Sequence, residues 1–315
     1  MGARGYQRRI PVHRDSLDGG LQYARCIRLG RTALIPVRLP SILQFVDHPF
    51  VAPVTPMTFR DLEIICEDGP VIAVNKPPGL ISQGAPAGVP SLIGLVKDYL
   101  KDKYNKPGEV YLGVPHRIDR PVSGVVVFSR NSKCAARLAE QFAKREVRKT
   151  YLAVLECPPT EVSGTLNDWL YRIPNEPRVI VCGADHPDAK QAVLHYKILK
   201  KAKGKALVEI DLGTGRMHQI RIQFGSRGWP IIGDDQYGAT ASFPGSHRDV
   251  TRESPIALHA ARLIIQHPVR YEPLPILAPI PRTWNEFGFG VVKLDDGLND
   301  APRRPDCISD VGDEG

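Results

Sequence analysis

The chain has 315 residues, with 42 Lys or Arg against 34 Asp or Glu (formal charge +8), six cysteines and 42% apolar residues. That is enough for one or two domains with a buried core, while no apolar run reaches the roughly 18 residues of a membrane span, which excludes an integral membrane protein. Cysteines 26, 66, 134, 157, 182 and 307 form no CxxC pair and no dense framework, so zinc-ribbon and disulfide-scaffold classes are excluded and reduced thiols in a cytosol-like compartment fit.

Residues 1–46 hold eight arginines, no lysine and two acids, Asp15 and Asp18. With no apolar h-region they are not a secretory signal, and they read as an N-terminal extension or small appended element. The arginine-rich, acid-poor composition keeps an organelle transit peptide as the alternative. Gly19, Gly20, Pro11, Pro36 and Pro40 argue against the amphipathic helix it would need.

VIAVNKPPGL (71–80) predicts a strand entering a rigid loop. Ser91 is placed to cap a helix whose Leu92, Leu95, Val96, Tyr99 and Leu100 recur at helical spacing. GVVVF (124–128) predicts a buried strand. Ser132 then caps a helix with Ala135, Leu138, Ala139 and Phe142 inward. TYLAVLE (150–156) predicts a strand, and VLHYKIL (193–199) with ALVEIDL (206–212) a strand pair joined by the basic turn Lys200–Lys205. A short helix is expected from Met217, with Met217, Ile220 and Phe224 inward, ending near Gly225–Gly228. From residue 293 onward seven acids, three basic residues and few large apolar side chains predict a disordered tail. Many strands with few, separated helices define an α+β class with a mixed, largely antiparallel sheet and flanking helices.

PHRIDRPVSGVVVFSR (115–130) puts His116, Arg117, Asp119 and Arg120 on a loop before the buried strand. Flanking cations favour an ionised Asp119, which could act as nucleophile or base; a structural Arg–Asp pair is the alternative. A His116/Asp119/Ser123 hydrolase triad fits poorly, being too close in sequence and lacking a GxSxG elbow. Tyr151, behind the basic cluster at 148–149, could stack on a planar ligand if it shares a pocket with Asp119. LGTGRMHQIRIQFGSRG (212–228) crowds Arg216, His218 and Arg221 at a helix start, where the dipole gives cations no support, so an anionic partner is needed. GDDQYG (233–238) reads as a structural turn or a metal loop. His218 and His259 fall in no metal-ligand spacing, and no P-loop or dinucleotide fingerprint occurs, so no metal and no cofactor are expected. From Lys97 to Tyr151 thirteen basic residues face six acidic ones. Lys200, Lys201, Lys203 and Lys205 form a second basic cluster, and both suit a phosphate backbone.

Five segments in order then resemble one family. HRIDRPVSG is similar to the HRLDRxTSG signature of the RluA-type pseudouridine synthases. NKPPGL resembles their NKPxG loop, KTYLAV their KxYxA segment, GRMHQIR their GRxHQIR segment, GDDQYG their GDxxYG turn, and HAARLIIQHP (259–268) their closing strand. The resemblance covers about 65–290 and implies a pseudouridine synthase-like catalytic domain over 61–290, with the extension at 1–60 and the tail at 291–315. No S4-type RNA-binding module is visible before it. It implies cofactor-free isomerisation of a uridine in structured ribosomal or transfer RNA, by a cytoplasmic (alternatively mitochondrial or other organellar) monomer. Asp119 matches the catalytic aspartate, Tyr151 the stacking tyrosine, and Arg221 the cation paired with the aspartate. Ile220 matches the apolar wall, and Arg117 the residue holding the nucleotide out of the stack. His116, Arg120, Arg216 and His218 join them as expected substrate contacts. Ile118, Pro121, Val122 and Gln223 depart from the pattern, which leaves an RNA-binding or ribosome-assembly factor on the same scaffold as the alternative.

Overall fold

The computed structural model describes residues 57–244, 246, 254–290, 292, 294 and 297. Residues 1–56 and most of 291–315 lie outside them, and with them most of the expected extension and of the expected tail. Ten strands form one sheet: β1 Glu63–Asp68, β2 Val71–Lys76, β3 Ser123–Ser129, β4 Arg148–Leu155, β5 Ser163–Arg172, β6 Val179–Cys182, β7 Lys190–Ala202, β8 Lys205–Leu212, β9 Leu258–Gln266 and β10 Pro273–Leu277. Their order is β1-β2-β3-β9-β4-β8-β7-β5-β6, with β10 also on β9. Every pairing is antiparallel except β3 with β9. With three α-helices among the described residues, α1 Leu92–Lys103, α2 Ser132–Ala143 and α3 Gln219–Gly225, the α+β, mixed and largely antiparallel class holds.

Alternation along β2 and β3 feeds two cores, because successive side chains leave a strand on opposite faces. Ile72, Val74, Val126 and Phe128 pack with Leu92, Leu95, Val96 and Leu100 of α1. Val71, Ala73, Val125 and Val127 pack with Leu138 of α2 and with Leu263 and Ile265 of β9. Both strands are therefore apolar almost throughout, as strands covered on both faces must be.

Several local readings need correction. The α2 cap is Asn131, one residue earlier than expected: extended backbone lets its side chain accept from the Cys134 amide at 2.8 Å. The face α2 buries is Cys134, Leu138 and Gln141, with Ala139 exposed. The β7–β8 connection is not a six-residue basic turn. Both strands extend into it, leaving Lys203 and Gly204 at φ 51° and 74°, a two-residue turn whose left-handed backbone matches strand twist. The third helix starts at Gln219 rather than Met217, because His218 before it is left-handed at φ 51°. β1, β5, β6 and β10 lay in stretches for which no strand was expected.

The strand order positions the site. β3, β9, β4 and β8 are neighbours, and Ala260 of β9 pairs with Gly124 on one side and Tyr151 on the other, so the loop entering β3 meets the sheet level with Tyr151. Gly124 makes the β3–β9 approach possible: at φ 117°, a Cβ there would stand 2.2 Å from the Ala260 carbonyl oxygen.

Candidate active site

The loop before β3 is fastened from beneath by the 77–80 loop. Lys76 is fully buried, and its ammonium donates to the carbonyls of Pro77, Leu80 and Arg120 at 2.9, 2.9 and 3.0 Å. Burial pushes its pKa down to about 7, against the supporting charge of Asp119. Arg120 Nε donates to Gly79 O at 2.8 Å, and Ser82 Oγ to Ile118 O at 2.8 Å. The backbone on both sides of Asp119 is thereby fixed, which is what a positioned carboxylate requires.

Asp119 opens on a cavity of about 480 Å³ that is also lined by Tyr151, Ile220, Arg221, His218, Arg216 and Arg117. His116 lines it as well, whereas Arg120 lines an adjoining cavity that shares Asp119. The sequence-predicted residues thus come together, with altered partners. Arg117 is exposed and Arg120 turns to the 77–80 loop, so the guanidinium facing Asp119 is Arg221, its Nη1 3.8 Å from Oδ2. His116 accepts from the Val127 amide at 3.0 Å and stacks on Phe142. Burial and the nearby Lys149 push its pKa down to about 3, so it supports the loop as a neutral ring. The His116/Asp119/Ser123 triad does not assemble: Ser123 Oγ lies 2.9 Å from His259 Nδ1 inside the core.

Arg221 is buried and held by Asp234, with Nε and Nη2 each donating to a carboxylate oxygen at 2.7 Å. Burial opposes its charge, but these bonds and the charges of Asp234 and Asp119 raise its pKa overall. Asp234 and Tyr237 come from GDDQYG, so that turn is part of the site's scaffold. Sequence reasoning missed both, because an Asp in a Gly-rich turn carries no mark of the arginine it will meet.

Tyr237 fixes a second neighbour of Asp119. Its hydroxyl accepts from the Val179 amide at 3.2 Å and lies 2.8 Å from His218 Nδ1. The other ring nitrogen, Nε2, stands 3.7 Å from Asp119 Oδ2. Burial lowers the His218 pKa, with Arg221 adding to the effect and Asp119 opposing it. The left-handed backbone of His218 aims the ring this way.

Tyr151 lines the cavity with its pKa raised, first by burial and then by the charge of Asp119. Its phenol therefore stays neutral beside the carboxylate. Gln219 ties the loop after β8 down: Oε1 accepts from Thr214 Oγ1 and the Arg216 amide, and Nε2 donates to Val193 O. Gln223 is fully buried, with Nε2 near the Leu166 and Ala192 carbonyls and Asp168. It braces α3 against β5 and β7 rather than lining the cavity.

A carboxylate, a guanidinium and an aromatic ring thus share one cleft on a mixed sheet of this order. Residues 70–226 match the RNA pseudouridylate synthase family. The chain is 34% identical over 231 residues to the ribosomal large subunit pseudouridine synthase D of Xylella fastidiosa, covering 70% of this chain and 66% of that one. It is 31% identical over 264 residues to the uncharacterized RNA pseudouridine synthase YlyB of Bacillus subtilis, covering 83% and 80%. Among solved structures, human RNA pseudouridylate synthase domain containing 4 superposes with a TM-score of 0.59 at 25% identity, covering 72% of this chain and 93% of that one. The chain belongs to the RNA pseudouridine synthase family.

Proposed function

We propose that the chain isomerises a uridine of structured RNA, ribosomal or transfer, to pseudouridine. The observation that carries this reading is Asp119, held by its loop in one cavity with Arg221 and Tyr151. The name of the Xylella relative favours ribosomal RNA.

A stacked uridine hides both its glycosidic bond and carbon 5, so it must be turned out of the helix, and a cavity of about 480 Å³ suits one nucleoside. In this reading the base lies against the Tyr151 ring with Ile220 closing the wall, and Asp119 faces the sugar. The C1′–N1 bond breaks with its electron pair moving to the base, while the carboxylate adds to C1′ or stabilises the positive charge developing there. The freed base rotates and bonds to C1′ through carbon 5. The carbon-5 proton then leaves, with the Tyr151 hydroxyl beside it, and N1 ends protonated. The sequence is redox-neutral, so the reading needs no cofactor. Arg221 and His218 flank the carboxylate at 3.8 and 3.7 Å, and exposed Arg117 fills the gap the flipped base leaves.

The departures Pro121, Val122 and Gln223 leave Asp119, Tyr151 and Arg221 intact, which favours activity over RNA binding alone. Tritium release from RNA carrying uridine labelled at carbon 5 tests this. Asp119→Asn is expected to lower release by at least about a thousandfold with RNA affinity nearly unchanged. A variant that turns over like wild type would remove the aspartate from the mechanism.

A further inference from the structure

Three cations that line the cavity have no role in the chemistry above. Arg145 follows α2, Lys149 precedes Tyr151 by two residues on β4, and Arg216 sits on the loop after β8; all three line the cavity. Two residues apart on one strand, Lys149 and Tyr151 share a face. None of the three makes a salt bridge among the described residues. Arg216 is braced by its Nε, which donates to Gln191 O at 3.0 Å.

Their mutual arrangement is unfavourable without a partner. Burial, reinforced by Arg145 and Arg216, pushes the Lys149 pKa down to about 8, although Asp211 supports its charge. Burial and Arg145 also lower Arg216. Like charges gathered in a partly desolvated wall oppose one another until an anion enters.

The backbone at Arg145 is a second, independent sign. α2 ends in a Schellman motif: the Arg145 amide donates to Phe142 O at 3.3 Å and the Glu146 amide to Gln141 O at 2.9 Å. The left-handed position of that motif, usually glycine, is Arg145 at φ 59°. A residue with a long charged side chain stands where glycine would be relaxed, and the side chain reaches the cavity.

We propose that Arg145, Lys149 and Arg216 together form a subsite for one phosphodiester of the RNA, next to the nucleotide over Asp119. This rests on the functional reading above and adds where the substrate's backbone is gripped. The three groups converge on one anion, so they act as a unit. Arginine forks and an ammonium point charge are suited to that ligand.

Fluorescence anisotropy of a labelled single-stranded oligouridylate, measured with the full chain across a salt series, tests it. One phosphate contact contributes about 0.7 to the slope of log K against log salt for single strands. Arg145→Gly, Lys149→Gln and Arg216→Gln are each expected to lower the slope by about that amount, and the triple variant by no more than about one contact's worth. Arg145→Gly relieves the left-handed backbone, so an unchanged or raised melting temperature separates lost binding from lost folding. A triple variant that loses about three contacts' worth, as independent surface charges would, overturns the subsite, and so does one that loses none. Tritium release by wild type is scored separately. Its absence alongside the expected slopes would fault the isomerase reading and leave the subsite standing.

Discussion

Asp119 is held by neighbours that are themselves held. Arg221 faces it because Asp234 grips the guanidinium with two 2.7 Å bonds, and His218 turns Nε2 toward it while Tyr237 meets Nδ1 at 2.8 Å. Both Arg221 and Asp234 are buried, and removing one member of such a pair leaves an uncompensated charge. Asp234→Asn should therefore destabilise the fold by about 3–5 kcal/mol in urea unfolding, and turnover should fall more than RNA affinity does. A variant with unchanged unfolding midpoint and turnover would show that Asp234 does not position Arg221. At this scale Asp119, Tyr151 and Arg221 were legible because their segments have distinctive residue patterns. Asp234, Tyr237 and Lys76 were not, since each acts through a partner 13 to 44 residues away, and no local pattern records that.

At the scale of elements, the loop–strand junction at 119–124 sets the geometry. β3 turns from the Asp119 loop straight into parallel contact with β9, pairing Ser123 with His259 and Gly124 with Ala260. Gly124→Ala would drive a methyl into the Ala260 backbone at a φ that L residues rarely adopt. The expected cost is about 3 kcal/mol or more, read as a lowered melting temperature, with activity lost because β3 and β9 are forced apart. A variant as stable as wild type would mean the two strands can separate freely there. The apolar runs of β2, β3 and β4 and the amphipathic α1 were readable as elements because burial imposes its period on the sequence. β5 and β6 were not. Their mixed polar and apolar residues belong to the far edge of the sheet, where one face is partly solvated and burial is patchy.

For the molecule as a whole, segments spread over 71–238 meet because the sheet order places β3, β9, β4 and β8 side by side. That order is long-range, and chain order alone does not state it; the family resemblance supplied what periodicity could not. Buried neutral histidines also make stability depend on pH. Burial lowers His116 to about 3 and His259 to about 4, and lowers His218 as well. Between those values and the unfolded value near 6.5 the unfolded chain binds more protons. Stability from these groups is thus complete above about pH 6.5 and is lost as pH falls, by up to about 1.4 kcal/mol per pH unit for each group. Urea midpoints from pH 7 to 5 should fall steeply, and less steeply in His259→Gln. A flat profile would mean that burial does not keep the three rings from their protons.

The central claim is that the Asp119 carboxylate drives uridine isomerisation in RNA, and pseudouridine mapping in cells tests it most directly. RNA from cells lacking the gene should lose pseudouridine at one or a few specific positions, regained with the wild-type gene and not with Asp119→Asn. Unchanged pseudouridines on deletion, or full restoration by the asparagine variant, would contradict it.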